Sequence, residues 1–308
     1  MQDEFDFTKP YPAFNPNSAH AAPFRTAVSR FYDAEVTARL FQMSGRQERF
    51  VAGETLFVEN EKSGKLGLFG KNVIHRMYFI TAGEVMLSRV GKPLDTIKAG
   101  EIFGELAVIS ETPSGSTRDA TAIVKTDCTA LSLDHEGLQT ALARTPEFAL
   151  MLMSVMFDRL RFVAARLATR KTAPDNNIQR NAALFDSAAL ASLEQKLERA
   201  TTMHYAAGKT IMNEGDAGTS MYILLDGQVT IFINGKAVAS IATGGTFGEM
   251  ALVDQLPRTA SAVAETECAL LAINRAALIA LVKAEPAAGL TMLRSVAARL
   301  RHMNAWLT

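Results

Sequence analysis

The sequence predicts a mainly β protein with flanking helices, arranged as two tandem β rolls, each with N-terminal and C-terminal helices. Three observations carry this expectation: the chain repeats itself, each copy holds short strands cut by turn residues, and each copy closes on an apolar helical stripe. Met77 to Ile109 aligns without a gap to Met221 to Val253 at an offset of 144 residues, with Met77 and Tyr78 on Met221 and Tyr222, Gly83 on Gly227 and Gly100 on Gly244. Farther on the offset is 140, and Arg118, Ala120, Cys128, Leu138, Pro146, Arg159, Leu160 and Arg161 match Arg258, Ala260, Cys268, Leu278, Pro286, Arg299, Leu300 and Arg301. Such self-similarity marks a duplicated structural unit. Where the offset changes, the first copy carries insertions: eleven extra residues between Asn60 and Met77, and four between Ile109 and Arg118.

At 308 residues the chain suits two domains of about 150 residues rather than one. Apolar residues make up 48% and charged residues 21%, enough to bury two cores in an ordinary globular protein. Thirty-two basic residues balance thirty-two acidic ones, so no global field draws the chain to nucleic acid or to an anionic membrane. Two cysteines give neither a disulfide framework nor metal-ligand spacing. They sit in apolar, strand-like runs and read as packing residues. The longest apolar stretch, Ala269 to Val282, is interrupted by Asn274 and Arg275 and is too short to span a bilayer. No secretory signal pattern opens the chain, and a reducing, cytoplasmic setting is expected.

Residues 1–24 scatter Pro10, Pro12, Pro16 and Pro23 among aromatic residues, a pattern of a disordered or draped tail, or alternatively of an aromatic docking peptide. The first domain is expected over 25–170. Val28, Phe31, Val36, Leu40 and Phe41 recur at helical spacing over Arg25 to Ser44. In the second copy, strands are expected at Met221 to Leu225, Gln228 to Ile233 and Lys236 to Ile241. Asp226-Gly227 and Asn234-Gly235 between them supply the positive φ angles of two-residue hairpins, which predicts that consecutive strands pair antiparallel. Closing helices are expected over Glu147 to Thr169 and Ala287 to Leu307, where leucines and other apolar residues return on one face. Between the copies, residues 171–181 read as a polar linker with Pro174, and Leu184 to Arg199 as the helix that opens a second domain over 182–308.

The chemistry concentrates at Phe247 to Val263, FGEMALVDQLPRTASAV. A helix start offers unpaired N–H groups, Gly248 lets a ligand approach the backbone, and Arg258 can grip an anion through two parallel hydrogen bonds. Glu249 would repel a phosphate that it faced, so it is read as accepting hydrogen bonds from hydroxyls of the same ligand, such as a ribose. This stretch resembles the phosphate-binding cassette of the cyclic-nucleotide-binding domains of the catabolite activator protein, the cyclic-nucleotide-dependent kinases and the gated channels, F-G-E-[LIM]-A-L, a spacer, then P-R-[ATS]-A-[TS]. The resemblance implies jelly-roll topology and a cyclic mononucleotide ligand, cyclic AMP or cyclic GMP. It implies that Glu249 takes the ribose 2′-hydroxyl and Arg258 the cyclic phosphate, with Gly248 and Thr259 adding donors. Phe247, Met250, Ala251, Ala260 and Ser261 complete the matched cassette. By the same resemblance the terminal helix covers the base, which makes Arg301, Asn304 and Trp306 candidates for a lid, with packing on a domain surface the alternative for Trp306. Thr259 leans toward cyclic GMP by analogy, although bacterial cyclic-AMP sensors also carry a hydroxyl there.

The first copy keeps Gly104, Glu105, Leu106, Arg118 and Ala120, but its Glu-to-Arg spacing is thirteen residues instead of nine, and Asp119 stands in place of Thr259. A carboxylate beside a cyclic phosphate is repulsive. Three readings stay open for this possible second site: a structural domain, a cyclic-nucleotide site with altered preference, or a pocket for another anion. The insertion from Glu61 to Arg76 reads as a solvated loop, with a pocket cover or partner contact as alternatives.

Catalysis is not expected. The five histidines, His20, His75, His135, His204 and His302, are dispersed, no metal site is predicted, and no nucleophile and base are paired. The chain stops at Thr308, so a helix-turn-helix and a nucleic-acid partner are not expected. The expected role is a sensor whose helix movement changes contact with a protein partner or in a homodimer. The alternative is a ligand-independent scaffold built on the same two rolls. Residues 1–49 hold no evident basic inhibitor sequence.

Overall fold

In the computed structural model, residues 32–64, 73–112, 114–168, 179–181, 185–186, 190, 201–254 and 256–305 are described. The tail over 1–24, most of the linker, almost all of the helix expected over Leu184 to Arg199, and Trp306 lie outside them.

The first unit opens on α1 (Ala34–Ser44), whose N-cap Asp33 accepts from the backbone N–H of Glu35 and Val36 at 2.9 and 3.0 Å. One face of α1 buries Val36, Leu40 and Phe41. Strands β1 (Arg46–Phe50), β2 (Thr55–Phe57), β3 (Met77–Arg89), β4 (Lys92–Lys98) and β5 (Ile102–Phe103) follow, then the short α2 (Glu105–Ile109). β6 (Thr121–Leu133), α3 (His135–Arg144) and α4 (Phe148–Ala168) close the unit. The sheet runs β1-β6-β3-β4, with β2 on β6 and β5 on β3.

The second unit repeats this order. Gln179–Asn181, placed in the linker by the sequence, forms a short strand β7 parallel to the later β12. Then come β8 (Thr201–Tyr205), β9 (Thr210–Met212), β10 (Ser220–Asp226), β11 (Gln228–Ile233), β12 (Lys236–Ala242), β13 (Thr246–Phe247) and α5 (Glu249–Asp254). β14 (Ser261–Ala264), β15 (Cys268–Asn274), α6 (Arg275–Ala284) and α7 (Pro286–Ala305) complete it. Its strands form two sheets, β13-β10-β15-β8 and β7-β12-β11-β14-β9.

One hairpin is as expected and the other is not. Asn234 and Gly235 adopt φ of 50° and 73°, and β11 pairs antiparallel with β12 across them. At Asp226-Gly227 no hairpin forms: β10 pairs β13 and β15, while β11 pairs β12 and β14. Gly227, at φ 97°, instead carries the chain from one sheet to the other. A Cβ there would stand 2.3 Å from the carbonyl oxygen of Glu267, so Gly227→Ala should destabilise the fold by more than the about 1–2 kcal/mol that a left-handed residue costs by itself, read as a lower urea midpoint.

Each roll has its own apolar centre, Phe57, Tyr78, Ile80, Val85 and Phe103 in the first and Ile211, Leu224, Val229, Phe247 and Leu270 in the second. The largest core belongs to both. Phe41, Phe148, Met153 and Phe157 of the first unit pack in one cluster with Leu278, Leu293, Val296 and Leu300 of the second. Gly289 brings α7 close to α4, since a Cβ on it would lie 3.2 Å from the Cβ of Ala149. The apolar stripe of α7, which suits a homodimer and packing within the chain equally well as a sequence, is covered within the chain. Both cysteines are buried and free, as expected of packing residues. Among the described residues no single helix is long and apolar enough to cross a membrane.

Candidate functional site

The second cassette lies where β13 hands over to α5. Gly248, at φ 78°, turns the chain so that Glu249 begins the helix. Arg258 approaches from the other side, its backbone clamped by Asp216 O, which accepts from Arg258 N at 2.8 Å, and by Gly215 N, which donates to Arg258 O at 2.9 Å. The guanidinium lies between two glycines. A Cβ on Gly248 would stand 2.7 Å from Nη1, and one on Gly218 would stand 2.6 Å from Nε and Cζ. Nη1 donates to Gly248 O and Nη2 to Ser220 O, each at 2.6 Å, which fixes the plane of the fork. Burial lowers the Arg258 pKa, and the nearby Tyr222 and Glu249 oppose that shift.

Glu249 is 2% exposed and Arg258 6%. Arg299 of α7 pairs with the Glu249 carboxylate, but without hydrogen-bond alignment, so both oxygens retain acceptor capacity. Flanking one glycine are thus an acceptor-only carboxylate and a donor-only guanidinium. A ligand with hydroxyls at one end and a negative charge at the other satisfies both. Around them Phe247, Ala251 and Ala260 are buried, with Phe247 stacked on Tyr222 at 5.2 Å between ring centroids. The Thr259 hydroxyl lies 3.6 Å from the Met250 sulfur, and the Ser261 hydroxyl accepts from Glu214 N at 2.9 Å, which ties Ser261 to the loop before β10.

Arg301 is not where the sequence placed it. Its Nε reaches Asp119 Oδ1 and Oδ2 at 3.0 and 2.8 Å in the first cassette, instead of covering the second. The physical reason is the shared helical core, which lays α7 across α2 and α3 of the other unit. Sequence reasoning also missed Arg299, Gly218 and the Ser220 carbonyl. The repeat held a signal for the first of these, because Arg159 matches Arg299 and pairs with Glu105, there through a hydrogen bond to the carboxylate.

The first cassette reproduces the second around its arginine. Gly104 has φ 76°, Glu105 is 3% exposed and Arg118 is 4% exposed. Arg118 donates through Nη1 to Gly104 O at 3.0 Å and through Nη2 to Arg76 O at 2.8 Å, and its guanidinium covers the Phe57 ring at 3.8 Å. Burial pushes its pKa down to about 10, so it stays charged at neutral pH. Leu106, Asp119 and Ala120 are half-buried beside it. Of the described ends of the insertion, Lys62, Gly64 and Ile74 are exposed, as a solvated loop would be, while Ser63 and His75 are buried. Ser63 Oγ donates to Glu111 Oε1 at 2.6 Å, Ser116 Oγ to Glu111 Oε2 at 2.7 Å, and Ser116 N to Ser63 Oγ at 2.8 Å. The two insertions therefore hold each other.

His75 is buried in that junction, with Nδ1 2.7 Å from Ser116 Oγ and 3.7 Å from Glu111 Oε2. Desolvation, and after it the charge of Arg118, lowers its pKa to about 4, while Glu111 opposes the shift. Between the ordinary histidine value of about 6.5 and this value the unfolded chain binds the extra proton. Stability is accordingly complete above about pH 6.5 and falls as pH drops toward 4. The urea midpoint should be lower at pH 5 than at pH 7, and His75→Asn should shrink that difference.

The family model of the cyclic nucleotide-binding domain matches residues 47–145 and again 202–285, more than half of the chain. This chain belongs to the cyclic nucleotide-binding domain family. The two matches cover both cassettes, so the tandem organisation is that of two such domains. Among curated proteins, the cAMP-dependent protein kinase regulatory subunit of Colletotrichum orbiculare is 30% identical over 191 residues, 61% of this chain and 42% of that one. The corresponding subunit of Schizosaccharomyces pombe is 29% identical over 199 residues, 64% of this chain and 42% of that one. The chain thus spans less than half the length of these relatives. Among solved structures, the Thermus thermophilus catabolite activator protein is 32% identical over 41% of this chain and 62% of its own, at a TM-score of 0.37, too low to carry an argument about arrangement.

Proposed function

We propose that the chain is a cyclic mononucleotide sensor without catalytic activity of its own, which binds cyclic AMP or cyclic GMP at the second cassette and signals to a protein partner. The observation that carries this reading is the pairing of buried Glu249 and Arg258 on the two sides of Gly248. Hydroxyl groups of a ribose satisfy the carboxylate, and the single charge of a cyclic phosphate satisfies the guanidinium. Arg299, which already touches Glu249, links an occupied pocket to α7 and hence to the core that both domains share. Regulatory subunits of kinases among the relatives favour a protein as the recipient of that movement. Thermal denaturation with each nucleotide tests the reading. At a ligand concentration 100 times the dissociation constant, the folded state should gain about 2.7 kcal/mol, seen as a rise in Tm. No rise with either nucleotide favours the scaffold alternative.

A further inference from the structure

Helix α7 reaches two cassettes. Arg299 pairs with Glu249 of its own domain, while Arg294 and Arg301, two turns apart and so on one face, turn to the other. Arg294 donates through Nε to Ile109 O and through Nη2 to Glu111 O, both at 3.1 Å, at the C-terminal end of α2. Arg301 donates through Nη2 to Leu106 O at 3.2 Å and to Thr117 O at 3.1 Å, and through Nε to the Asp119 carboxylate at 3.0 and 2.8 Å. The internal repeat supplies the comparison. Thr259 stands where the first copy has Asp119, and Ser154 stands where α7 has Arg294. An ion pair between a terminal helix and the residue after the cassette arginine is thus possible on one side only.

Asp119 follows Arg118, and its charge acts on the Arg118 guanidinium. Left alone, that carboxylate would oppose any anion held by Arg118. Paired with Arg301 it is neutralised, and Arg118 remains as the net positive charge. We propose that Arg301 of the second domain is a positioning residue of the first pocket, and that this pocket binds a cyclic mononucleotide only because Arg301 neutralises and holds Asp119. The proposal rests on the ligand class read from the second cassette, and it makes the first pocket a joint product of both domains.

The test is calorimetry with cyclic AMP, and separately cyclic GMP, on full-length chain carrying Arg258→Leu, so that heat reports the first pocket. One equivalent should bind. Adding Arg301→Gln should weaken it by roughly tenfold or more, and adding Asp119→Thr to that variant should restore it to within about threefold. Restoration separates neutralisation of Asp119 from a merely structural role, which Asp119→Thr would not repair. Arg301→Lys keeps the charge and should lose less than Arg301→Gln, which also covers the case in which the glutamine variant folds poorly. Unchanged affinity in Arg301→Gln, absence of rescue, or a lysine variant as weak as the glutamine one overturns the proposal. So does a parent chain that binds one equivalent and loses it with Arg258→Leu, and that result leaves the second-pocket reading standing. Absence of binding in the parent chain overturns both.

Discussion

Arg258→Leu is expected to cost about 2–5 kcal/mol of cyclic nucleotide binding at the second cassette, roughly 30- to 5,000-fold in affinity. The effect is large because the guanidinium is buried and pre-oriented. Gly248 O and Ser220 O hold two of its nitrogens before any ligand arrives, so little ordering remains to oppose binding. Leucine removes the charge and also leaves those two carbonyls without their donors. Arg258→Lys separates the two losses, since it restores charge but not the fork, and it should recover only part of the affinity. Calorimetry on both variants, with circular dichroism to confirm folding, checks the expectation. Unchanged affinity in the leucine variant removes Arg258 from the site.

Phe148→Ala is expected to destabilise the whole chain by about 3–5 kcal/mol. Phe148 is fully buried at the start of α4, edge-on to Phe41 with ring centroids 6.2 Å apart. It belongs to the cluster that joins the helices of both domains. Removing the ring leaves a cavity that closely packed neighbours can fill only in part. Because the core is shared, denaturant unfolding followed by circular dichroism should show both rolls losing stability together, in one transition. Two transitions, of which only one moves, would show that the domains are stabilised independently.

Much of this was legible in the sequence, because some residues leave few alternatives. Asn234-Gly235 names its turn through positive φ, and the cassette names Glu249 and Arg258 through their fixed distance around Gly248. Asp226-Gly227 has the same turn chemistry and misled for a physical reason: a left-handed glycine states that the chain bends, not which strand lies beyond the bend. The apolar stripe of α7 likewise states that the helix is covered, not by what. Arg301 was assigned to the wrong pocket on that account, since a helix packed on its own domain and one packed on its neighbour share one pattern. Arg159 and Arg299 were visible as a repeated pair, but their carboxylate partners lie more than forty residues away in sequence and meet only in the fold. The insertions around His75 read as loops because their polar residues face one another rather than water.

The most direct measurement is a crystal structure of the full chain grown with saturating cyclic AMP or cyclic GMP. The account predicts a nucleotide in the second cassette, its phosphate within hydrogen-bonding distance of the Arg258 guanidinium and a ribose hydroxyl on Glu249. A second cassette that stays without a nucleotide at saturation, or one whose nucleotide touches neither Arg258 nor Glu249, would contradict it.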